Sequence, residues 1–338
     1  MKVDSPDIDK TALYQVLAGY GLEVRGLAFI PRGEESYCYV AEAADGALYF
    51  VKVFEGWPEK LATRYRVAHR LLTQYGHEYV VAPRVTEHGE LLCRFGTCAV
   101  AVFDYVAGSV LGPTEGADDE WESAATVMAS LHTSVDSSAL SSLPRERFDV
   151  WLRDWLMRVL AAADDAAVSG GRYRRQAKRL LSGQRDDVVA TLEWLERLAE
   201  RARAIEWEPA LTHGDFTPEN LIRDEQGRLH LFDWSKLGVG PPERDLVNFV
   251  GERFESFLAA YVRNCALPPS LHLDLFAYYR CLLLLWAITD YGSWILLEEA
   301  APEDEEEAWR ALSRSFPIDH DGMQEEMRSL GEVIDRVL

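Results

Sequence analysis

The chain is short of cysteine, of basic residues and of long apolar runs, and each shortage removes a class of protein. Its five cysteines, Cys38, Cys93, Cys98, Cys265 and Cys281, are odd in number, scattered and form no C-x-x-C pair. That argues against a disulfide framework or a zinc site and for reduced thiols. Lysine and arginine number 35 against 56 aspartates and glutamates, a net charge of −21. So acidic a surface repels phosphate backbones and anionic lipid, and neither nucleic acid nor a membrane is an expected partner. A cationic small molecule would be drawn in. The greasiest run, residues 281–297, is interrupted by Asp290 and is too short to span a bilayer. Met1-Lys2-Val3-Asp4-Ser5-Pro6 holds no apolar stretch, so no signal peptide is expected and the expected location is the cytoplasm. With 338 residues, 48% of them apolar and 27% charged, the composition is that of a globular protein, long enough for two lobes.

What is present changes in texture along the chain. A short helix at 8–19 leads into brief runs rich in Val, Tyr and Phe at 27–30, 37–43, 48–54, 90–93 and 98–103, separated by Gly-containing turns. Asp45-Gly46 marks a hairpin between the second and third runs. A helix fits 58–75, with Pro58 in its first turn and Gly76 just beyond its end. After Gly108 helical stretches dominate, at 118–134, 147–163, 172–206, 244–265, 271–299 and the last thirty residues. One β-rich island, 210–232, interrupts them. The acidic run 303–307 reads as a solvated helix start. The expected architecture is α+β and bilobal: a small antiparallel-sheet N-lobe over 1–105 and a larger, mainly helical C-lobe over 106–338.

The island carries the chemistry. It contains His213-Gly214-Asp215-Phe216-Thr217-Pro218-Glu219-Asn220, and thirteen residues after Asn220 comes Asp233. An acid and an amide share one loop, and a hairpin with 224–227 at its tip returns a second acid beside them. Phosphoryl transfer needs those parts: a carboxylate to orient the attacking hydroxyl and accept its proton, and oxygen ligands to hold Mg²⁺ against the nucleotide phosphates. The H-x-D-x-x-x-x-N spacing followed by a strand-end Asp is the kinase catalytic-loop and metal-loop pattern. Asp215 is then the candidate base, and Asn220 and Asp233 are the candidate metal ligands. The same chemistry demands a lysine on an early strand to reach the α/β-phosphates, and Lys52 in Leu48-Tyr49-Phe50-Val51-Lys52-Val53-Phe54 supplies it.

Lys52, then His213-Gly214-Asp215 with Asn220, then Asp233 is an order that resembles the aminoglycoside phosphotransferase and choline kinase family, which shares the protein-kinase-like fold. The similarity runs from about Val24 to Trp294, and its specific motifs lie within 211–246. It implies that His213 braces the loop and that Asp245 anchors it from a helix start. It also implies a hinge at 100–108, where backbone groups around Asp104 and Val106 hold the purine edge, and a phosphate loop at 31–36. That loop has one glycine and two acids, so Ser36 and backbone amides are left to bind the phosphates of ATP (or GTP). The helix at 58–75 should offer a Glu to Lys52, yet its only acid is Glu59 at the start. The lysine is therefore braced by Glu59 or in some other way.

Trp286, Asp290 and Trp294, at i, i+4 and i+8, share one helix face. They form either a core stripe or a pocket wall in which Asp290 meets an ammonium and a Trp stacks on it. Tyr278-Tyr279-Arg280, Tyr291-Gly292 and Pro242-Glu243-Arg244-Asp245-Leu246 are similar to the spectinomycin-kinase branch, although several positions expected to be polar there are Leu or Trp here. The expected function is a Mg²⁺-dependent O-phosphotransferase acting on a hydroxyl of an aminoglycoside, aminocyclitol or similar cationic antibiotic. The alternatives are a metabolic kinase for choline, homoserine or a thiosugar, and a catalytically weak nucleotide- or ligand-binding module.

Overall fold

A computed structural model of the chain describes residues 4–5, 7–31, 36–112, 118–134, 140–168, 170–298 and 302–338, with the backbone alone at 118 and 302. Its contacts divide the chain into two compact units. One comprises 1–145, 209–240 and 256–267, and the other comprises 146–208, 241–255 and 268–338.

The first unit is built on strands β1 (Val24–Ile30), β2 (Tyr37–Ala43), β3 (Leu48–Phe54), β4 (Cys93–Phe95) and β5 (Cys98–Asp104). They form the expected antiparallel sheet, in the order β1-β2-β3-β5-β4. Alternation along β3 decides which side chain does what. Val51 and Val53 enter a core with Tyr39, Val100, Val102, Leu13 and Leu17, while Lys52 points to the opposite face. Helix α1 (Lys10–Ala18) closes over that core, capped by Asp9, whose side chain accepts the N–H groups of Thr11 and Ala12. Helix α2 (Glu59–Thr73) buries Leu61, Tyr65, Ala68 and Leu71, one stripe at helical spacing. Tyr65 meets Phe103 of β5 edge-on at 5.6 Å. The strand expected at 90–93 starts only at Cys93, as β4, after a turn at 87–88. There the Thr86 hydroxyl accepts the N–H groups of His88 and Glu90, and side-chain capping of this kind competes with a ladder.

The same unit holds β6 (Gly108–Val110), helix α3 (Asp118–Thr133), and the island, which folds as β7 (Ala210–Thr212), β8 (Leu221–Asp224), β9 (Leu229–Leu231) and β10 (Gly238–Gly240). β8 and β9 make the expected hairpin, with Asp224 accepting the N–H groups of Gln226 and Arg228 at its tip. β6 completes a three-stranded sheet by pairing with β8, Gly108 opposite Asp224. A Cβ on Gly108 would clash with the Arg223 carbonyl oxygen, a backbone atom that cannot swing aside. Gly108→Ala is therefore expected to destabilise the protein by about 1–3 kcal/mol, read as a drop in denaturant midpoint; an unchanged midpoint would mean that β6 can lift off β8 freely.

The second unit is helical: α4 (Arg153–Asp164), α5 (Arg172–Gly183), α6 (Arg185–Ala204), α7 (Glu243–Leu246), α9 (Leu273–Leu296), α10 (Pro302–Arg314) and α11 (His320–Val337). Helix α8 (Phe254–Asn264) begins in this unit and lies mostly in the first. The helix expected over 172–206 is two helices that break at Gln184, directly after Gly183, a residue of poor helix propensity. The one expected over 244–265 is α7, a 3₁₀ turn at Val247–Phe249 and then α8. The acidic run does open a helix, with Glu303, Asp304 and Glu305 in the first turn of α10. Among the described residues no helix is long and apolar enough to cross a membrane.

Glu243, at the start of α7, is fully buried. One carboxylate oxygen accepts the N–H of His272 at 2.6 Å, and the other has no hydrogen-bond partner. Burial pushes its pKa up to about 7, against the pull of that N–H. A carboxyl raised on folding binds its proton in the native state where the unfolded chain has lost it, so stability falls as pH rises from about 4.5 to about 7. Glu243→Gln should accordingly raise Tm at pH 8 and leave it nearly unchanged at pH 4; equal shifts at both would refute the assignment.

Candidate active site

The candidate residues of the island converge because the β8–β9 hairpin folds back on itself. Leu221 pairs with Leu231, and the Asn220 carbonyl accepts the Phe232 N–H at 3.1 Å, so Asn220 and Asp233 flank the hairpin's base. The loop before it is internally tied. Asn220 donates its amide to the Asp215 carbonyl at 2.8 Å and to the Asp215 carboxylate at 3.2 Å. Gly214 has φ +79°, a conformation in which a side chain is strained, which accounts for the glycine between His213 and Asp215. His213 is fully buried, 3.0 Å through its Nε2 from the Phe232 carbonyl oxygen and edge-on to Trp234 at 5.0 Å. Trp234 in turn donates its indole N–H to the Val81 carbonyl at 2.9 Å.

Asp233 is one of two described non-glycine residues with positive φ, at +66°. Asp tolerates this left-handed conformation better than most residues, and strain of this kind gathers at functional sites. The twist ends the strand and turns the carboxylate toward β3. There Oδ2 takes a hydrogen bond from the Lys52 ammonium at 2.8 Å, between residues 181 apart in the chain. Lys52 is 8% exposed as a residue, and a charge so enclosed needs a partner. Burial works against ionisation of Asp233, but the Lys52 charge and hydrogen bond outweigh it, helped by His213 and the Ser235 side chain, and hold its pKa at about 2. The brace on Lys52 is thus Asp233, while Glu59 is exposed at the start of α2.

Ser36 is buried, with its hydroxyl 3.6 Å from the thiol of Cys38, which stands opposite Lys52 in the β2–β3 register. The rest of the expected phosphate loop, 32–35, lies outside the described residues. Asp104 ends β5 with its side chain exposed and paired to Arg84 at 2.6 Å; Val106 follows, half-buried. In the second unit, Trp286, Asp290 and Trp294 are all half-buried on α9, and Tyr291, which the i, i+4, i+8 pattern skipped, stands edge-on between the two indoles at 6.2 and 6.3 Å. Lys236 is a second residue that the spacing did not single out. It lies in the 3₁₀ turn Trp234–Lys236 and places its ammonium 3.7 Å from Asp215 Oδ2. Its only mark in the sequence is its place three residues after the strand-end Asp.

Chemically, the first unit presents a carboxylate and an amide on one loop, a second carboxylate opposite them, and two ammonium groups. The donor set suits Mg²⁺. The Asn220 amide nitrogen is directed at Asp215, which leaves its oxygen as a hard donor, and Asp233 is an ionised carboxylate. Among the described residues no three His, Cys, Asp or Glu side chains form a metal cluster. Two protein oxygens with positions left for phosphate and water match the way Mg²⁺ is usually held.

Known proteins are similar in sequence and in fold. Protein StrN of Streptomyces griseus is 26% identical over 303 residues, 87% of this chain and 88% of its own length. The fold is similar to that of a spectinomycin phosphotransferase solved with ADP and spectinomycin, at TM-score 0.78 and 19% identity over 96% of this chain and 99% of that one. An aminoglycoside phosphotransferase from Alicyclobacillus acidocaldarius gives 0.62 and 15% over 99% and 98%. The choline kinase LicA of Streptococcus pneumoniae gives 0.51 and 16% over 97% and 99%. Residues 26–273 match the phosphotransferase enzyme family, a span that takes in Lys52, Asp215, Asn220 and Asp233. The chain belongs to that family and is an enzyme of its kind, a kinase with the protein-kinase-like fold.

Proposed function

We propose that the enzyme moves the γ-phosphate of ATP (or GTP) to a hydroxyl of an aminoglycoside, aminocyclitol or similar cationic antibiotic, as a resistance or self-protection activity in the cytoplasm. The observation that carries the reading is the Lys52–Asp233 ion pair beside the Asn220–Asp215 hydrogen bond. These two contacts join four residues, the outermost 181 positions apart, of the types that phosphoryl transfer uses. In this reading Asp215 accepts the proton of the acceptor hydroxyl as its oxygen bonds to the γ-phosphorus. The bond from that phosphorus to the bridging oxygen breaks, and the nucleoside diphosphate leaves with the electron pair. Lys52 neutralises charge on the α/β-phosphates, and Ser36 and the backbone around Asp104 and Val106 seat the nucleotide. Asn220 and Asp233 would hold Mg²⁺, which supplies charge neutralisation on the phosphates when bound. Most of the rate comes from positioning and electrostatics, because the loose transition state leaves little covalent work to the protein.

In this reading the α9 residues Asp290, Trp286 and Trp294 would meet a cationic acceptor, the carboxylate through an ammonium and the indoles by stacking. The net charge of −21 favours the same class by long-range attraction. The fold shared with a choline kinase keeps a metabolic acceptor as the second reading. The test is ADP release with Mg²⁺ over a panel of spectinomycin, aminoglycosides, macrolides, choline and homoserine. Acceptor-dependent turnover of about 1–100 s⁻¹ with an antibiotic is expected; turnover with choline or homoserine alone would replace the antibiotic reading, and nucleotide that binds but is never consumed would place the acceptor outside the panel. Trp294→Ala is expected to raise the acceptor KM about tenfold with the KM for nucleotide unchanged; an unaltered acceptor KM would remove α9 from the acceptor site.

A further inference from the structure

The turn that follows Asp233 places a cation where neither the catalytic-loop spacing nor the lysine on β3 calls for one. We infer that Lys236 is a further catalytic residue, which contacts the γ-phosphate as it is transferred, and that Arg64 of α2 is its positioning residue. The inference rests on the phosphotransfer reading of this site.

Three observations carry it. First, the Lys236 ammonium stands 3.7 Å from Asp215 Oδ2, with both side chains about one-third exposed, so solvent and a ligand can reach the pair. A base accepting a proton from the attacking hydroxyl is within hydrogen-bond reach of it, and that oxygen is bonding to the γ-phosphorus. A cation 3.7 Å from the base is therefore also within a side-chain rotation of the equatorial phosphoryl oxygens, where charge is spread in the transition state. Second, the loop itself contributes no cation. Between Asp215 and Asn220 it reads Phe216-Thr217-Pro218-Glu219, and Lys52 is engaged with Asp233.

Third, the turn is pinned from outside. Arg64 donates its Nε–H to the Leu237 carbonyl at 2.9 Å, and Leu237 is the residue that closes the 3₁₀ turn after Lys236. Helix α2, which has no acid in its middle to offer Lys52, uses an arginine from that stretch to hold the Asp233–Leu237 turn. One bond from α2 thereby fixes the strand-end carboxylate and the second ammonium together. In the transfer step the hydroxyl proton goes to Asp215, the new P–O bond forms to the acceptor, and the bridging P–O bond breaks to the departing diphosphate.

The experiment combines steady-state kinetics with equilibrium binding of ADP and of a non-hydrolysable triphosphate analogue, all with Mg²⁺. For Lys236→Met, kcat should fall about 10²–10³-fold. Affinity for the triphosphate analogue should weaken about tenfold and ADP affinity should stay within twofold, because only the triphosphate carries the group that Lys236 meets. Lys236→Arg should recover most of the triphosphate preference. Arg64→Met should lower kcat about tenfold with the same loss of triphosphate preference, and Arg64→Lys, which can still donate to the carbonyl, should restore both. If Lys236→Met loses turnover yet keeps the triphosphate preference, the lysine merely holds Asp215 and the phosphate contact is refuted. If it keeps turnover while Asp215→Asn is inactive, the inference fails and the phosphotransfer reading stands. Should Asp215→Asn itself remain active, the reading falls first. Circular dichroism of each variant separates these outcomes from misfolding.

Discussion

Asp215→Asn is expected to lower turnover by at least about 10³-fold while ADP and its triphosphate analogue bind as before. General-base catalysis by a positioned side chain is worth about 10²–10⁴-fold, and here the same group also orients the acceptor. Asparagine has nearly the shape of aspartate, and at position 215 it can still accept from the Asn220 amide through its carbonyl oxygen, so the loop tie survives. What disappears is the basic oxygen alone. Wild-type thermal stability with intact nucleotide binding would confine the loss to the proton transfer. Near-normal turnover would instead show that an acceptor hydroxyl is activated elsewhere, and the assignment of Asp215 would be wrong.

For Asp233→Asn the expected loss is at least as large in activity and includes stability. Asparagine tolerates the left-handed backbone at this position as aspartate does, so the substitution removes charge without adding strain. Two consequences follow. The oxygen donor set loses its carboxylate, and turnover should fall about 10³-fold or more, a scale set by the contribution of electrostatic stabilisation to such reactions. The Lys52 ammonium, with a side chain only 11% exposed, loses the carboxylate that faces it at 2.8 Å. Removing one member of a buried pair costs about 3–5 kcal/mol, and the 29% exposure of the Asp233 side chain lowers the expected loss to about 1–3 kcal/mol.

The pH dependence separates this effect from a packing defect. The Asp233 pKa is depressed on folding, from 3.8 to about 2, so its ionisation contributes stability above about pH 4 and that contribution is lost as pH falls through about 2. The gap in Tm between wild type and Asp233→Asn should be full at pH 7 and should narrow steadily below pH 4. A gap independent of pH would mean that the ion pair contributes nothing and that the amide disturbs the turn.

The local sequence determined most of the sheet and the choice of candidate reacting groups. Strand β3 was legible from its β-branched and aromatic run, because alternation assigns Val51 and Val53 to one face and Lys52 to the other before any partner is known. The hairpin joining Asn220 to Asp233 was legible for a similar reason: a turn of Asp and Gly between two short apolar runs closes only one way. Elements whose ends depend on weak signals were less so. A single long periodic stretch concealed the break at Gln184, and the turn near Thr86 depends on one hydroxyl competing with the ladder.

Tertiary structure decided how the charges are shared. Nothing in the spacing tells whether Lys52 meets a helix acid or a strand-end acid, because the choice depends on the left-handed twist at Asp233 and on the register of β3 against its neighbours. Nor does the spacing tell that Lys236 reaches Asp215, or that Arg64 holds the turn that carries it there. Local sequence sets residue type and backbone preference through interactions a few positions long. Contacts such as Lys52 to Asp233, 181 positions apart, are set by how whole elements pack, and in this protein those contacts determine the electrostatics of the site.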